Sequence, residues 1–314
     1  MNQAYSQHST FLTVAYGDGV GPEIMEAVLF LLKEARVGAF IETIQAEERF
    51  YENGMPHGIS PDAFARLTRT GVLLKAPHIM PVDEKHESPQ DKLDERFQVL
   101  AHVMPLRSFS PVIPTAYPER NSLLIQGQKA CELNQMLLRA AAQIAQRHGL
   151  SELIWYSDGE QPGWWDEIQS AFAACSLQHR QVETLSAADI TRHHSQAIVT
   201  RMDLDVTNLT SNIAGSPWLS CRARIAPDFA LFEPMHEAMP ELKGKQAANP
   251  AGLIRAACLM LLHMGRSEEA ALIENALLRA LEDRRELGTM AFAELVADYL
   301  GDQPRILPIC LYPH

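Results

Sequence analysis

Short apolar runs alternate along the chain with longer stretches that have helical spacing. The run Thr10–Tyr16 predicts a strand, which a glycine turn connects to a helix that begins at Pro22. Proline fits the first helical turn because its missing N–H would have no partner there. Apolar positions Ile24, Val28 and Leu31 then share one face of this helix. The opening therefore predicts a strand–turn–helix unit.

The same alternation continues toward the C-terminal end. The further predicted elements are a helix from Ser60 or Pro61 to Arg69, a strand Val72–Lys75, a helix from about Gln128 to His148, a strand Glu152–Tyr156, a helix Trp164–Cys175, a strand Gln196–Thr200 and two helices, Pro250–Met264 and Ser267–Arg285. The proline-rich stretch Pro105–Pro118 is interpreted as an extended crossing between domains. Alternating strands and helices indicate an α/β fold with much parallel sheet.

Composition and charge narrow the class of protein. A chain of 314 residues, 46% hydrophobic and 21% charged, is typical of a soluble globular protein with one large domain or two medium ones. The formal net charge of −12 argues against nucleic acid or an anionic membrane as a partner. We find no apolar signal segment near the start and no bilayer-length apolar run. Five scattered cysteines without a CxxC pair predict a reducing, cytoplasmic setting.

Two motifs carry further information. The first is the glycine turn Gly17–Glu23, which by itself is equally well explained as a tight connection that needs glycine backbone freedom. The second consists of Phe232–His236, Pro240–Lys245 and Ala248–Pro250, followed by an apolar helix. The order and the spacing of these three segments are much more specific than any one of them alone.

Together the motifs resemble the GDGxGPE opening and the FE-x-x-HG-x-AP-x-x-AGK-x-x-ANP block of the isocitrate/isopropylmalate dehydrogenase family. The segments Leu74–Pro77 and Ala101–Phe109 align with the family region between them without a gap. The resemblance implies a two-domain α/β fold with mixed sheets flanked by helices. It assigns residues 1–100 and 216–314 to the large domain and 101–215 to a smaller, shortened central domain. It also implies a homodimer that takes a small-molecule substrate or a nucleotide.

Members of this family oxidise a 2-hydroxy acid with NAD or NADP and then release carbon dioxide with the help of Mg²⁺ or Mn²⁺. The resemblance places His236 and Asn249 at the adenine, and Gly17 and Gly19 in the cofactor site. Glu241 stands where a carboxylate accepts hydrogen bonds from the ribose hydroxyls and repels a 2′-phosphate, which favours NAD. The alternative for Glu241 is a solvated surface acid.

The segment from Phe232 to Pro250, which we call the adenosine block, also departs from the family at one position. Glu237 replaces a family glycine, adding bulk and negative charge where the pyrophosphate would lie. The sequence thus predicts an adenosine site in which binding of the cofactor is weakened.

The substrate end of the family site is altered further. Two of the three family arginines are replaced by Asp94 and Met104, and the third belongs to a deleted segment. Lys75, Ser88 and Arg107 remain as candidates for substrate binding, with a surface or interface charge as the alternative for the lysine and for Arg107. Arginine side chains that reach the region of Ser88 from elsewhere in the chain would count against loss of this site.

The catalytic tyrosine and lysine of the family have no counterparts. The tyrosine segment is missing, and Tyr156–Glu160 stands where the lysine is expected. Asp158 and Tyr156 are the candidates for acid/base catalysis.

The metal carboxylates are altered as well. Asp203, Asp205 and Glu183 are candidate ligands for Mg²⁺ or Mn²⁺, with ordinary polar residues as the alternative. Two hypotheses follow. One is a divergent NAD-dependent dehydrogenase that acts on a less anionic 2-hydroxy acid. The other is a catalytically inactive pseudoenzyme or regulatory nucleotide-binding subunit.

Overall fold

The chain was described in a computed structural model, which covers residues 10–46, 51, 58–60, 62–79, 88–115, 117–118, 120–127, 131–148, 150–156, 165–174, 177–182, 196–201, 212–283 and 285–301. The described residues divide into two compact units. The first unit takes the described residues of Met1–Val99 and Cys221–Pro304, and the second takes those of Leu100–Ser220. Among the described residues, one continuous stretch of chain builds the second unit, and two separate stretches build the first.

The strands of the described residues, in chain order, are β1 (Thr10–Ala15), β2 (Ala39–Ile44), β3 (Val72–Lys75), β4 (Ala101–Arg107), β5 (Asn121–Gly127), β6 (Glu152–Tyr156), β7 (Gln178–Val182), β8 (Ala197–Arg201), β9 (Cys221–Ile225) and β10 (Ala230–Pro234). The α-helices are α1 (Gly21–Glu34), α2 (Ala63–Thr70), α3 (Pro89–Phe97), α4 (Cys131–Arg147), α5 (Trp165–Ala174), α6 (Ala251–His263), α7 (Ser267–Asp283) and α8 (Thr289–Asp298). Short 3-10 turns follow Ser216, Met239 and Asp298.

The sheet of the first unit has the strand order β2-β1-β3-β10-β9. Its first four strands are parallel, and β9 runs antiparallel to β10. Helix α6 packs on β9 and β10, and α1 packs on α6 and α8. The parallel strands bring the carboxyl ends of β3 and β10 to the same edge of the sheet, where ligands bind in open α/β folds.

Alternation along the strands decides which side chains form each face. Leu73 and Leu231 pack with Leu67 of α2 and Leu93 of α3 in one apolar cluster. Side chains one position further along a strand point to the opposite face, and those two positions further return to the same face. The residues two positions beyond Leu73 and Leu231 therefore extend this face beyond its apolar part.

The second unit contains a sheet of order β4-β5-β8-β6-β7. Strand β4 is antiparallel to β5, and the remaining pairs are parallel. Helix α4 packs against β5, β6 and β8 and contacts α5. Both units thus combine parallel strands, one antiparallel pair and covering helices, and the predicted α/β fold with mixed sheets is confirmed.

The observed elements agree with most of the predicted ones within three residues. The strands Val72–Lys75 and Glu152–Tyr156 have the predicted bounds. The prediction for Pro105–Pro118 was partly wrong, because Pro105 lies inside β4, paired with Leu123 of β5. A proline removes one donor from a sheet, yet its fixed φ is compatible with extended backbone. Among the described residues, no helix combines the length and apolarity needed to cross a bilayer.

Candidate functional site

Charged side chains replace apolar ones where three adjacent strands of the first unit meet. Lys75 lies two residues after Leu73 on β3, and Glu233 lies two residues after Leu231 on β10. Arg222 of β9 is paired directly with Glu233 in the antiparallel register. Because Phe232 pairs with Leu74, Lys75 lies beside Glu233 on the neighbouring strand. The sheet register therefore places a cation on each side of one carboxylate.

Glu233 is the centre of this arrangement. Its Oε1 accepts hydrogen bonds from Nε of Arg222 at 2.7 Å and from Nε of Arg224 at 3.0 Å. Its Oε2 accepts one from Nε2 of Gln90 at 3.2 Å and lies 3.4 Å from Nζ of Lys75. The side chain is only 3% exposed, so these partners compensate its charge in place of water.

Asp94 extends the network through α3. Its Oδ2 accepts a hydrogen bond from Nη1 of Arg224 at 2.5 Å, and the two side chains are 11% and 6% exposed. Arg224 therefore bridges Asp94 and Glu233. We refer to Lys75, Asp94, Arg222, Arg224 and Glu233 as the charged cluster.

The cluster holds Glu233 in its ionised form. Burial by itself would raise the pKa of Glu233, but the surrounding Arg222, Arg224 and Lys75 cations outweigh burial and hold the pKa well below its usual value. Burial lowers the pKa of Lys75, an effect that Glu233 opposes and that the two arginines reinforce. Three cations share one central carboxylate, and burial opposes the charge of the lysine among them.

The ammonium of Lys75 is already bound within the protein. Besides Glu233, Nζ donates to the carbonyl oxygen of Ala76 at 3.1 Å and lies 3.3 Å from Nδ1 of His78. Burial, reinforced by the Lys75 charge, lowers the pKa of His78 to about 3, so this imidazole is neutral at pH 7. Lys75 is 1% exposed, which contradicts the alternative that it is a surface charge.

The other two predicted substrate residues have different surroundings. Ser88 accepts a hydrogen bond from the backbone N–H of Asp91 at 3.0 Å and so caps the N-terminus of α3. Arg107 lies at the end of β4 in the second unit, 5% exposed, with its guanidinium 5.8 Å from the ring centroid of Phe109. It too is buried rather than a surface charge. Lys75 is itself a member of the charged cluster, and Ser88 caps the helix that carries Asp94.

The glycine turn packs against the protein's own backbone. Gly17 has a φ of 65°, and a Cβ built there would lie 1.9 Å from the carbonyl oxygen of Pro77. Gly19 has a φ of 57°, and its Cβ would lie 2.0 Å from the carbonyl oxygen of Ala238. Val20 N–H donates to this oxygen at 2.7 Å. Packing within the protein alone thus requires both glycines, and their contact with a cofactor stays a prediction.

The turn also holds the segment that carries the adenosine block. Glu23, in the first turn of α1, accepts hydrogen bonds from the backbone N–H groups of Gly244 and Gln246, the latter at 2.9 Å. Gln246 in turn accepts a hydrogen bond at its carbonyl from the N–H of Thr289, at 2.8 Å. One carboxylate and one helix start therefore fix the loop that contains the candidate cofactor residues.

The chemistry of these residues fits an adenosine group. His236 is buried, which lowers its pKa and keeps the ring neutral, although the carbonyl of Glu237 opposes this. Its Nδ1 lies 3.0 Å from that carbonyl oxygen. Because a carbonyl only accepts, Nδ1 carries the proton and Nε2 is an acceptor, as an adenine amino group requires. Asn249 accepts a hydrogen bond from the N–H of Ala251 at 2.9 Å, which orients its amide group.

Two acidic residues lie at the surface of the same loop. Glu241 lies in the 3-10 turn Pro240–Leu242, and Glu237 precedes it by four residues. Both are exposed, so each carboxylate is accessible to a ligand from solvent. The observed exposure of Glu241 is compatible with a ribose contact and equally with a solvated acid.

The remaining candidates have no described geometry. Asp158, Asp203, Asp205 and Glu183 lie outside the described residues, and Tyr156 is described only as the last residue of β6. Within the described part of the chain, no group of three or more His, Cys, Asp or Glu side chains is placed to hold a metal ion. The predicted catalytic and metal residues therefore stay predictions.

Arg222 and Arg224 were not predicted from the sequence. A usable signal was present, because the two arginines alternate with Cys221, Ala223 and Ile225 directly before the Phe232 block. Such alternation predicts a strand with both guanidinium groups on one face. Arg224 contacts Asp94 of α3, the helix whose N-terminus Ser88 caps, and a retained substrate site near Ser88 stays a prediction.

Comparison with known proteins gives a consistent result. The sequence profile described as isocitrate/isopropylmalate dehydrogenase matches residues 162–297. The chain is 30% identical over 356 residues to an isocitrate dehydrogenase (NADP) of Rickettsia felis, which covers 97% of this chain and 72% of that protein. It is 23% identical over 306 residues to a mitochondrial regulatory subunit of the isocitrate dehydrogenase (NAD) of Dictyostelium discoideum, over 87% of this chain and 84% of that one.

A solved structure supports the same fold. The isocitrate dehydrogenase of Methylococcus capsulatus superposes with a TM-score of 0.78 at 22% identity, over 92% of this chain and 99% of that chain.

Proposed function

The chain belongs to the isocitrate/isopropylmalate dehydrogenase family, and from this premise we propose that it is a divergent NAD-dependent dehydrogenase of a 2-hydroxy acid. The family reaction is an oxidative decarboxylation that uses NAD(P) and a divalent metal. The observation that carries the proposal is the geometry of the adenosine block. Glu23 holds its backbone at Gln246, and Asn249, a candidate contact of the adenine base, is already oriented by a hydrogen bond.

The cofactor would be held by residues of the first unit. Neutral His236 would accept a hydrogen bond from the adenine amino group through Nε2, and Asn249 would contact the same base through its amide. Bound NAD would supply the hydride acceptor, while these residues supply only binding and orientation. Packing keeps the loop in place before the cofactor arrives, which reduces the entropic cost of binding.

Glu241 supports NAD over NADP. Its exposed carboxylate would accept hydrogen bonds from the two ribose hydroxyls and would repel the 2′-phosphate of NADP. The Rickettsia relative is named for NADP, so this preference distinguishes the present chain from that protein. Glu237 adds a second negative charge to the loop, and we expect it to weaken binding of both cofactors.

The chemical step would depend on groups that differ from those of the family. Asp158 would take the proton from the substrate hydroxyl and Tyr156 would donate a proton, since the usual lysine and tyrosine have no counterparts. Asp203 and Asp205, with Glu183 contributed across a dimer, would supply oxygen ligands of the kind that Mg²⁺ or Mn²⁺ prefers. A homodimer in the cytoplasm is part of the same proposal.

A non-catalytic, nucleotide-binding subunit is the second candidate. Two observations favour it: the Lys75 ammonium has three partners within the protein, and Asp94 engages Arg224 at the position of a family arginine. The Dictyostelium relative is itself named a regulatory subunit. This candidate predicts cofactor binding without turnover.

Titration with NAD and NADP tests the cofactor proposal. Ligand at 100 times its dissociation constant should stabilise the native state by about 2.7 kcal/mol, visible as a raised melting temperature. Glu241→Lys should reverse the preference from NAD to NADP, whereas Glu268→Lys, at the start of α7, should leave it unchanged. Absence of any shift with either cofactor would refute both candidates.

Turnover separates the two candidates. NADH formation should be followed with 2-hydroxy acids of one, two and three carboxylates in the presence of Mg²⁺. Steady NADH production with any of them supports the dehydrogenase. Cofactor binding with no production from the whole panel supports the non-catalytic subunit. Light scattering of the same sample measures whether the protein is a dimer.

A further inference from the structure

The two arginines of β9 are used differently, although they share one face of the strand. Arg224 is 6% exposed and engages both Glu233 and Asp94. Arg222 is 28% exposed and makes its one hydrogen bond through Nε, to Glu233. Among the residues that the structure describes, neither Nη atom of Arg222 donates to the protein. Arg224 is therefore a structural cation, and Arg222 keeps the outer part of its guanidinium group available.

The position of Arg222 fits a ligand contact. It lies beside Glu233 at the edge of the sheet where the parallel strands β3 and β10 have their carboxyl ends. Glu233 orients the guanidinium through Nε, which fixes the plane in which both Nη groups can donate. Two parallel N–H donors match the two oxygens of a carboxylate, and such pairs are stronger than single neutral hydrogen bonds.

The net charge of the charged cluster limits the charge of a ligand that can bind to it. Lys75, Arg222 and Arg224 supply three positive charges, and Asp94 and Glu233 supply two negative charges, which leaves one positive charge when all are ionised. One further carboxylate would neutralise the cluster. A second carboxylate at the same place would meet the repulsion of Glu233 without a further cation of the cluster to offset it.

We propose that Arg222 binds one carboxylate of the substrate, in place of the family arginines that Asp94 and Met104 have replaced. This inference rests on the proposed dehydrogenase. The substrate class that it names is a 2-hydroxy acid that places only one of its carboxylates at Arg222. Malate, with two carboxylates in all, represents the class, and isocitrate, with three, represents the more anionic substrates of relatives.

Binding measured without turnover tests the proposal. The full-length protein, saturated with NADH so that no hydride transfer can occur, is titrated with malate and with isocitrate while the melting temperature is recorded. We expect malate to bind more tightly than isocitrate. Arg222→Gln should weaken malate binding about tenfold or more, because a charge-assisted pair is lost. Arg222→Lys should give an intermediate loss, since it keeps the charge and loses the paired donors.

Arg66→Gln is the matched control, because Arg66 is an exposed arginine that pairs with Asp62 on the surface of α2. It should leave malate binding unchanged. If Arg222→Gln lowers the melting temperature of the unliganded protein too far for titration, Arg222→Lys decides the question. Malate affinity equal to wild type in either folded Arg222 variant overturns the proposal, as does equal or tighter binding of isocitrate by the wild type.

The outcomes also separate this inference from the proposed function. Loss of malate binding in Arg222→Gln, with no NADH produced by the wild type, would keep the carboxylate site and remove the dehydrogenase. NADH production from malate with an unchanged KM in Arg222→Gln would keep the dehydrogenase and remove the site. A raised KM with little change in kcat is the expected result, since the contact serves binding more than the chemical step.

Discussion

Arg224 donates a hydrogen bond from Nη1 to Oδ2 of Asp94 at 2.5 Å, across 130 residues of sequence. The resemblance to the family aligns Asp94 with a substrate-binding arginine, which predicts a reversal of charge at this position. The new carboxylate is compensated inside the protein by a cation from β9. The sequence alone indicates the loss of one arginine at this site. The structure shows that another arginine, Arg224, pairs with the residue in its place.

The Asp94–Arg224 pair should contribute strongly to stability. Asp94→Asn leaves the charge of Arg224 buried with one carboxylate fewer, and we expect a loss of about 3 kcal/mol in the free energy of unfolding. The exposed pair Asp62–Arg66 provides the control, and Asp62→Asn should cost much less stability, because water screens an exposed pair. Urea denaturation measures both values. Similar losses for the two variants would contradict a buried, charged pair.

Stability should also fall in mild acid because of His78. Its pKa is about 3 in the folded protein and about 6.5 in the unfolded chain, so the unfolded state binds the extra proton between these values. This group leaves the free energy of unfolding unaffected well above pH 6.5 and lowers it progressively as the pH falls from 6.5 toward 3. Between about pH 6.5 and pH 5 the expected loss is about 1.5 kcal/mol from this group.

His78→Gln should make the loss over that pH interval smaller by about the same amount. Urea unfolding of both proteins at several pH values measures it. Glu233 adds its own loss only at lower pH, because its pKa lies well below the usual value of a glutamate. An unchanged pH slope in the variant would show that His78 is protonated in the native protein.

The glycine turn permits a direct comparison of two glycines. Gly19→Ala should destabilise the protein by about 2 kcal/mol or more, because its φ is 57° and the new Cβ would overlap the carbonyl oxygen of Ala238. Gly38→Ala should have little effect, since no atom lies within 4 Å of its Cβ position. Denaturation of both variants measures the difference. Equal stabilities would show that the turn can rearrange without cost.

Glu23 should act on the cofactor through the loop that it holds. Glu23→Gln removes a charged acceptor for the N–H groups of Gly244 and Gln246, and NAD binding should weaken about tenfold. Glu34→Gln, at the far end of the same helix, is the control and should not change affinity. Isothermal titration with NAD measures both. Unchanged affinity in Glu23→Gln would mean that the loop keeps its conformation without this carboxylate.

Local patterns predicted many of the elements. The strand Val72–Lys75 and the helix that starts at Ser267 appear as expected, because apolar periodicity and capping residues act over a few neighbouring positions. Strands β9 and β10 were missed. Each of these strands has only five residues. Strand β10 overlaps the motif that begins at Phe232, which was interpreted as a binding segment, and the alternation around Arg222 was not interpreted as a strand.

The sequence by itself determined the family, the alternation of strands and helices and the residue types available to the site. The glycines of the turn and the adenosine block are local requirements, so they are visible in a linear chain. Only the tertiary structure decided how the charges are used. It buried Lys75, paired Asp94 with Arg224 and left Arg222 partly exposed beside Glu233. The physical reason is that the free energy of a charge depends on its burial and its partners, which here come from distant strands.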